Sequence, residues 1–270
     1  MAAAAITLRF WGVRGGLPAP GAATQNFGGN SPCVEIRCHG RLLIFDAGTG
    51  IRPLGKHLIA QSPVEGDIFF SSTRFNNICG LPFFAAAFHP KNTFRFWCGT
   101  AHREGCIKDV LGRLMNDPIF PVPLDIFNAD LSFRDFFCGD HLDMGDGLEV
   151  ATLELDGDPP STAFRISCGP HVICMVPSAA LDTTDQRKVL ADFAKGADLL
   201  LFGPPAAGSE ATEDSWRAAL DLADDAGAGR LVLSGHAPED DDDVLDAREA
   251  SLGARRAGTL LAREGQELAV

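Results

Sequence analysis

From position 69 to 84 the chain reads Phe-Phe-Ser-Ser-Thr-Arg-Phe-Asn-Asn-Ile-Cys-Gly-Leu-Pro-Phe-Phe, a stretch that gathers several side chains able to do chemistry. Ser72, Arg74, Asn76 and Asn77 follow hydrophobic strand residues and precede a glycine-proline turn. One guanidinium beside two carboxamides suits an anionic or polar ligand, such as a phosphate ester, held by charge-assisted hydrogen bonds. The same set does not suit a divalent metal. Arginine is a permanent cation with five donors and no acceptor, whereas a zinc or binuclear site needs His, Asp, Glu or Cys converging from several loops.

Other chemistries have less behind them. No Gly-x-Ser-x-Gly nucleophile elbow occurs. Gly50 to Lys56 has the glycine and lysine spacing of a phosphate-binding loop, but His57 stands where the magnesium-holding Ser or Thr belongs, so the block reads as a helix start. The run Glu239-Asp240-Asp241-Asp242-Asp243 reads as the charged N-terminus of a helix. The eight cysteines show no zinc-site spacing and are expected to be buried, reduced thiols, Cys79 among them.

Around these residues, alternating or continuous apolar runs predict strands at 6–11, 33–37, 41–45, 67–71, 93–98, 131–137, 148–155, 163–168, 172–176, 198–202 and 230–234. Helical spacing predicts helices from Gly50 to about residue 61 and over 100–115, 184–195, 214–226 and 240–257. Residues 118–124, with three prolines, read as a stiffened loop, and 260–268 as a β-prone close. No tract divides the chain, so residues 1–270 are expected to form a single domain. Two successions of strands ending in helices suggest two mixed β-sheets packed face to face with helices outside, an α+β sandwich of the αββα kind.

A formal net charge of −13 and a pI near 4.9 argue against nucleic acid or an anionic membrane as the main partner. No apolar run approaches the ~20 residues needed to span a bilayer. The first residues lack the charged and apolar regions of a secretory signal, so the expected compartment is the cytoplasm.

Three blocks carry a family resemblance: Phe10-Trp11-Gly12-Val13-Arg14-Gly15, Phe27-Gly28-Gly29-Asn30-Ser31-Pro32-Cys33 and Phe45-Asp46-Ala47-Gly48-Thr49-Gly50-Ile51-Arg52. With Gly80-Leu81-Pro82-Phe83-Phe84 at the right distance, they resemble the metallo-β-lactamase-fold hydrolases, in the bacterial branch close to phosphodiesterases and tRNA-processing enzymes. The resemblance implies the αββα sandwich and a binuclear metal site. Its ligand motif, Thr-His-x-His-x-Asp-His-Ile-x-Gly-Leu-Pro-Phe-Phe, places Ser72, Arg74, Asn76 and Asn77 at the four ligand positions. In the remaining ligand loops it places Gly157, Pro177 and Gly235 at ligand positions, and Glu213 where a histidine stands near the leaving group.

The resemblance therefore implies a degenerate relative: a metal-free pseudoenzyme without catalytic residues or cofactor, acting on a ligand or a partner protein. Its former pocket would be lined by Ser72, Arg74, Asn76, Asn77 and His236, with Arg14 and Asn30 from the glycine-rich loops, and would take an anionic small molecule or a partner protein. Arg74 could instead fill the vacated metal volume and pair with Asp46 or Asp156. The alternative function is a phosphodiesterase-like hydrolase with a displaced zinc or manganese site built from Asp156, Asp158, Glu213 and His236. A third reading is a structural subunit of a homo-oligomer.

Overall fold

The computed structural model describes residues 6–100, 105–157, 159–179, 181, 183–203 and 213–270, with the side chains of 213 and 214 left aside. Its first sheet is built from β1 (Thr7–Gly12), β2 (Cys33–Cys38), β3 (Arg41–Phe45), β4 (Glu65–Phe70), β5 (Thr93–Cys98) and β6 (Asp130–Asp135), closed at one edge by β14 (Glu267–Ala269). Its second holds β7 (His141–Gly145), β8 (Leu148–Leu155), β9 (Ser161–Cys168), β10 (His171–Val176), β11 (Leu199–Phe202), β12 (Arg230–Leu233) and β13 (Thr259–Leu261). Strands β1 to β3 and β7 to β10 are antiparallel meanders, and each meander continues into parallel strands.

Parallel neighbours need crossover connections, and helices supply several of them: α1 (Ile51–Ile59), α4 (Thr184–Phe193), α5 (Glu213–Asp225) and α6 (Asp242–Arg255). The short α2 (Phe75–Ile78) follows β4, and α3 (Ile107–Leu114) lies between β5 and β6. Thr183 caps α4 by accepting from the Gln186 amide, and Asp241 caps α6 by accepting from the Val244 amide, so the acidic run does start a helix. No described helix is long and apolar enough to cross a membrane.

Three apolar layers result. One lies between the sheets, around Leu8, Phe10, Leu43, Phe45, Phe69, Phe164, Ile166 and Leu201, with Trp97 packed against it. A second lies under α1 and α3, around Ile44, Leu54, Phe70, Phe96 and Leu111, with Trp11 against it. The third lies under α4, α5 and α6, around Leu190, Leu200, Trp216, Leu222 and Leu245. Burial on both faces explains why β3 and β11 read as unbroken apolar runs while β1 alternates. In the middle layer the rings of Phe45 and Phe69 stack at 5.3 Å, and Phe164 of the opposite sheet meets both edge-on at 5.1 and 5.7 Å.

The αββα architecture is thus the one the sequence implies, with several corrections. Strand β7 went unread because only the turn after it, Asp146-Gly147, carries a strong local signal. The β-prone close is two strands in different sheets: β13 extends the second, and β14 returns to pair with β1. The third helix is shorter than its apolar spacing suggests, since the chain enters it only at Ile107, where Cys106 and Asp109 form a capping box; residues 101–104 lie outside the described part. Not all cysteines are free thiols: Cys38 and Cys168 form a disulfide between the sheets, and the other six are free.

Phe164 is 1% exposed and is the ring that locks the two sheets together. Phe164→Ala should lower stability by about 3–5 kcal/mol, read as a lower urea midpoint at an unchanged m-value.

Candidate functional site

The carboxyl ends of the parallel strands converge at one end of the sandwich, where open α/β sheets place their sites. Asp46 ends β3, Ser71 ends β4, Pro177 ends β10, Gly203 ends β11, and Ser234 and Gly235 end β12. They surround a cavity of about 60 Å³ whose lining also includes Arg74, Asn76, Asn77 and Ser178, over a floor of Val34, Phe45, Met175 and Leu201.

Its polar wall is a short chain of hydrogen bonds. Asp46 takes a left-handed backbone, φ 64°, and turns its carboxylate back toward β4. Its Oδ1 accepts from the Ser71 amide at 2.8 Å, and the Ser71 hydroxyl lies 2.8 Å from Oδ2. The Asn77 amide donates to that hydroxyl at 2.7 Å. Burial pushes the Asp46 carboxyl up to about 7, although the Ser71 and Asn77 donors work against the rise.

Arg74 sits at the N-cap of α2 and reaches across to the second sheet, its Nη2 donating to the Pro159 carbonyl at 2.7 Å. A Cβ at Gly157 would lie 3.2 Å from that nitrogen. The guanidinium therefore stands in the space that a side chain at 157 would enter. The Asp46 carboxylate bonds to Ser71 instead of pairing with Arg74, and Asp156 is exposed along a different hollow, of about 420 Å³, beside α4. Asn76 donates to the Gly15 carbonyl at 2.7 Å, tying α2 to the first glycine-rich loop.

Of the residues singled out by sequence, the structure brings Arg74, Asn76 and Asn77 to this cavity. Ser72 is buried, and its hydroxyl lies 3.4 Å from the Arg74 amide without lining the cavity. Arg14, Asn30 and His236 stand behind it. Arg14 is fully buried and donates to the carbonyls of Gly28, Ala237 and Asp240. Asn30 bonds to Glu264 through its amide side chain at 2.9 Å. His236 is fully buried edge-on to Phe27, with Nε2 2.8 Å from the Ala262 carbonyl, and burial lowers it to about 4.

The displaced metal set does not assemble among the described residues. Asp158 lies outside them, as does the side chain of Glu213, which opens α5. Asp156 lines the hollow beside α4, whereas His236 lines neither that hollow nor the cavity. The fold's usual binuclear zinc fits the described lining poorly: Asp46 is its one carboxylate, it has no imidazole or thiol, and Arg74 brings a cation. Asp46 and Ser71 are the residues that sequence reasoning passed over as site residues. An aspartate directly after an apolar strand, opening Asp-Ala-Gly-Thr-Gly, was the available signal.

Comparison with solved structures places the fold. Over 99% of this chain and 100% of the other, it is similar to the metallo-β-lactamase fold protein YhfI from Bacillus subtilis, with a TM-score of 0.69 and 18% identity. Human tRNase Z, short form, matches over 97% of this chain and 98% of its own, with a TM-score of 0.65 and 18% identity. Zn²⁺-bound PqqB from Methylobacterium extorquens matches over 97% and 99%, with a TM-score of 0.67 and 16% identity. No protein-family model and no curated protein sequence matches the chain. The protein has the metallo-β-lactamase fold, and at such identities the likeness speaks for the fold alone.

The two shifted groups act on stability with opposite sign. Asp46, raised from 3.8 to about 7, stabilises the fold at low pH and loses that contribution as pH rises toward 7. His236, lowered from 6.5 to about 4, contributes stability above pH 6.5 that is lost as pH falls through 4. Between pH 4 and 6.5 they largely cancel in the native protein. Asp46→Asn should therefore make stability rise with pH across that window, and His236→Gln should make it fall, each by a few kcal/mol on the order of 1.4 per pKa unit, measured by urea unfolding from pH 4 to 8.

Proposed function

We propose that this protein is a non-hydrolytic, metal-free relative of the metallo-β-lactamase-fold hydrolases that works as a protein-interaction module at the strand-end face. The supporting observation is the Arg74 guanidinium, which fills the space beside Gly157 and anchors on the Pro159 carbonyl. A cation fixed there opposes a divalent metal and fills the volume that a ligand side chain at 157 would need.

The cavity size favours a protein partner over a nucleotide or an RNA end. Small-molecule sites run to roughly 300–1,000 Å³, against about 60 Å³ here, which is room for a few waters or a small anion. Phe75 of α2, between the lining residues Arg74 and Asn76, is 62% exposed, and Phe83, in the turn that follows, is 55% exposed. Aromatic anchors of this kind carry much of the energy of protein interfaces. The net charge of −13 makes nucleic acid a poor partner.

The test is hydrolysis of bis(p-nitrophenyl) phosphate by protein kept oxidised, with zinc or manganese added, alongside elemental analysis of the same sample. The expected result is no turnover above buffer and metal far below one per chain. Chelator-sensitive turnover with stoichiometric metal would establish the alternative, a hydrolase with a displaced site. Arg74→Ala should cost about 1–3 kcal/mol through its charged hydrogen bond and leave hydrolysis at the buffer rate.

A further inference from the structure

At the opposite end of the sandwich, the two sheets are joined by the disulfide. Strand β3 runs from Arg41 toward Asp46 and β10 from His171 toward Pro177, so Cys38 and Cys168 lie four to six residues from the cavity lining, roughly 13–20 Å at ~3.3 Å per residue. Their Cα atoms are 6.9 Å apart across 130 positions of sequence, and the two residues are 2% and 1% exposed. Each is the last residue before a two-residue hairpin turn, His39-Gly40 and Gly169-Pro170. A third such turn, Asp146-Gly147, joins β7 to β8 at the same end.

His39 and Asp146 both adopt left-handed backbone, φ 50° and 55°, as the first residue of a type I′ hairpin requires. The turn of one sheet thereby meets the turn of the other, with His39 Nδ1 3.1 Å from the Asp146 carbonyl oxygen. A carbonyl only accepts, so Nδ1 carries a proton, and in the neutral ring Nε2 then has the lone pair. Metal-ligating histidines are oriented in this way, one ring nitrogen on a backbone carbonyl and the other on the ion. One ligand atom from each of Cys38, His39 and Cys168 lies within 4.8 Å of the others. The nearest cross-strand cation, Arg41, is held by Asp67 at 3.5 Å. His39 is exposed, which gives the cluster an open side for entry and for a fourth, water ligand.

We propose that Cys38, Cys168 and His39 form a redox-gated site for a thiophilic divalent cation of the Zn²⁺ class, remote from the strand-end cavity. A dithiol reductant breaks the Sγ–Sγ bond by exchange, passing two electrons and two protons to the cysteines and becoming a cyclic disulfide itself. The two thiols then give up their protons to bind one cation as thiolates, with His39 Nε2 as third ligand. Exchange with a disulfide oxidant takes the two electrons back, leaving that oxidant as two thiols, and so releases the cation and restores the covalent link. In both states the two sheets stay pinned at this end.

The full-length protein tests this with Co²⁺ as the probe, since thiolate ligation gives a sulfur-to-cobalt charge-transfer band. Thiol titration in denaturant should count six thiols before a dithiol and eight after it. Reduced protein should bind one Co²⁺ with that band, and Zn²⁺ should displace it; oxidised protein should show no band. The double variant Cys38→Ser, Cys168→Ser should lose the band. His39→Asn keeps a residue that tolerates left-handed backbone, so it preserves the turn while removing the imidazole. It should weaken Co²⁺ by at least the ~10- to 100-fold that loss of an outer-shell partner costs. A disulfide that resists excess dithiol, reduced protein without the band, or a band and affinity unchanged in His39→Asn would each overturn the proposal.

Discussion

The guanidinium of Arg14 is the tie on which the site end of the molecule depends. It is fully buried, burial lowers its pKa, and the nearby carboxylates of Asp240, Asp242 and Glu264 oppose that lowering. Its donors go to carbonyls of Gly28, Ala237 and Asp240, drawn from loops of both halves of the chain. A buried cation is tolerated only when so engaged. Around it the same stitching recurs: Asp242 accepts from the amides of Asn26 and Phe27, and Glu264 accepts from Asn30. The glycine-rich loops of the first half are thus fastened to the C-terminal segment, and the strand ends are held where the cavity forms.

This tie also explains what was legible in the sequence and what was not. The blocks that carry the family resemblance are places where backbone packs on backbone. A Cβ at Gly80 would lie 2.0 Å from the Gly48 carbonyl oxygen, and one at Gly12 would lie 1.9 Å from that of Ser31. Such contacts hold the frame whatever side chains face the cavity, so the architecture could be read independently of those side chains. Arg14, Asn30 and His236 were harder. Their types are those of a site, but several of their partners sit more than 200 positions away, at Ala237, Asp240, Glu264 and, for the bridge to His236, at Arg14 itself. No local spacing reveals a bond of that span, and the Cys38 to Cys168 link is hidden for the same reason.

The polar side chains around the cavity are held by one another and by the backbone. Asn77 donates to the Ser71 hydroxyl, Ser71 donates to Asp46, Asn76 is a strut to Gly15, and Arg74 a strut to Pro159. Each of these side chains satisfies a neighbour inside the protein. Polar side chains satisfied internally in this way cost less to bury than unpaired ones in a poor dielectric.

The three apolar layers happen to contain one indole each: Trp11 against the layer under α1 and α3, Trp97 against the one between the sheets, and Trp216 within the one under α4 to α6. The chain has three tryptophans and no tyrosine. Its intrinsic fluorescence is therefore a three-channel report with no phenolic background. Removing any two indoles leaves a single emitter assigned to a known stratum, and the loosening of one stratum ahead of the others becomes visible as a separate transition.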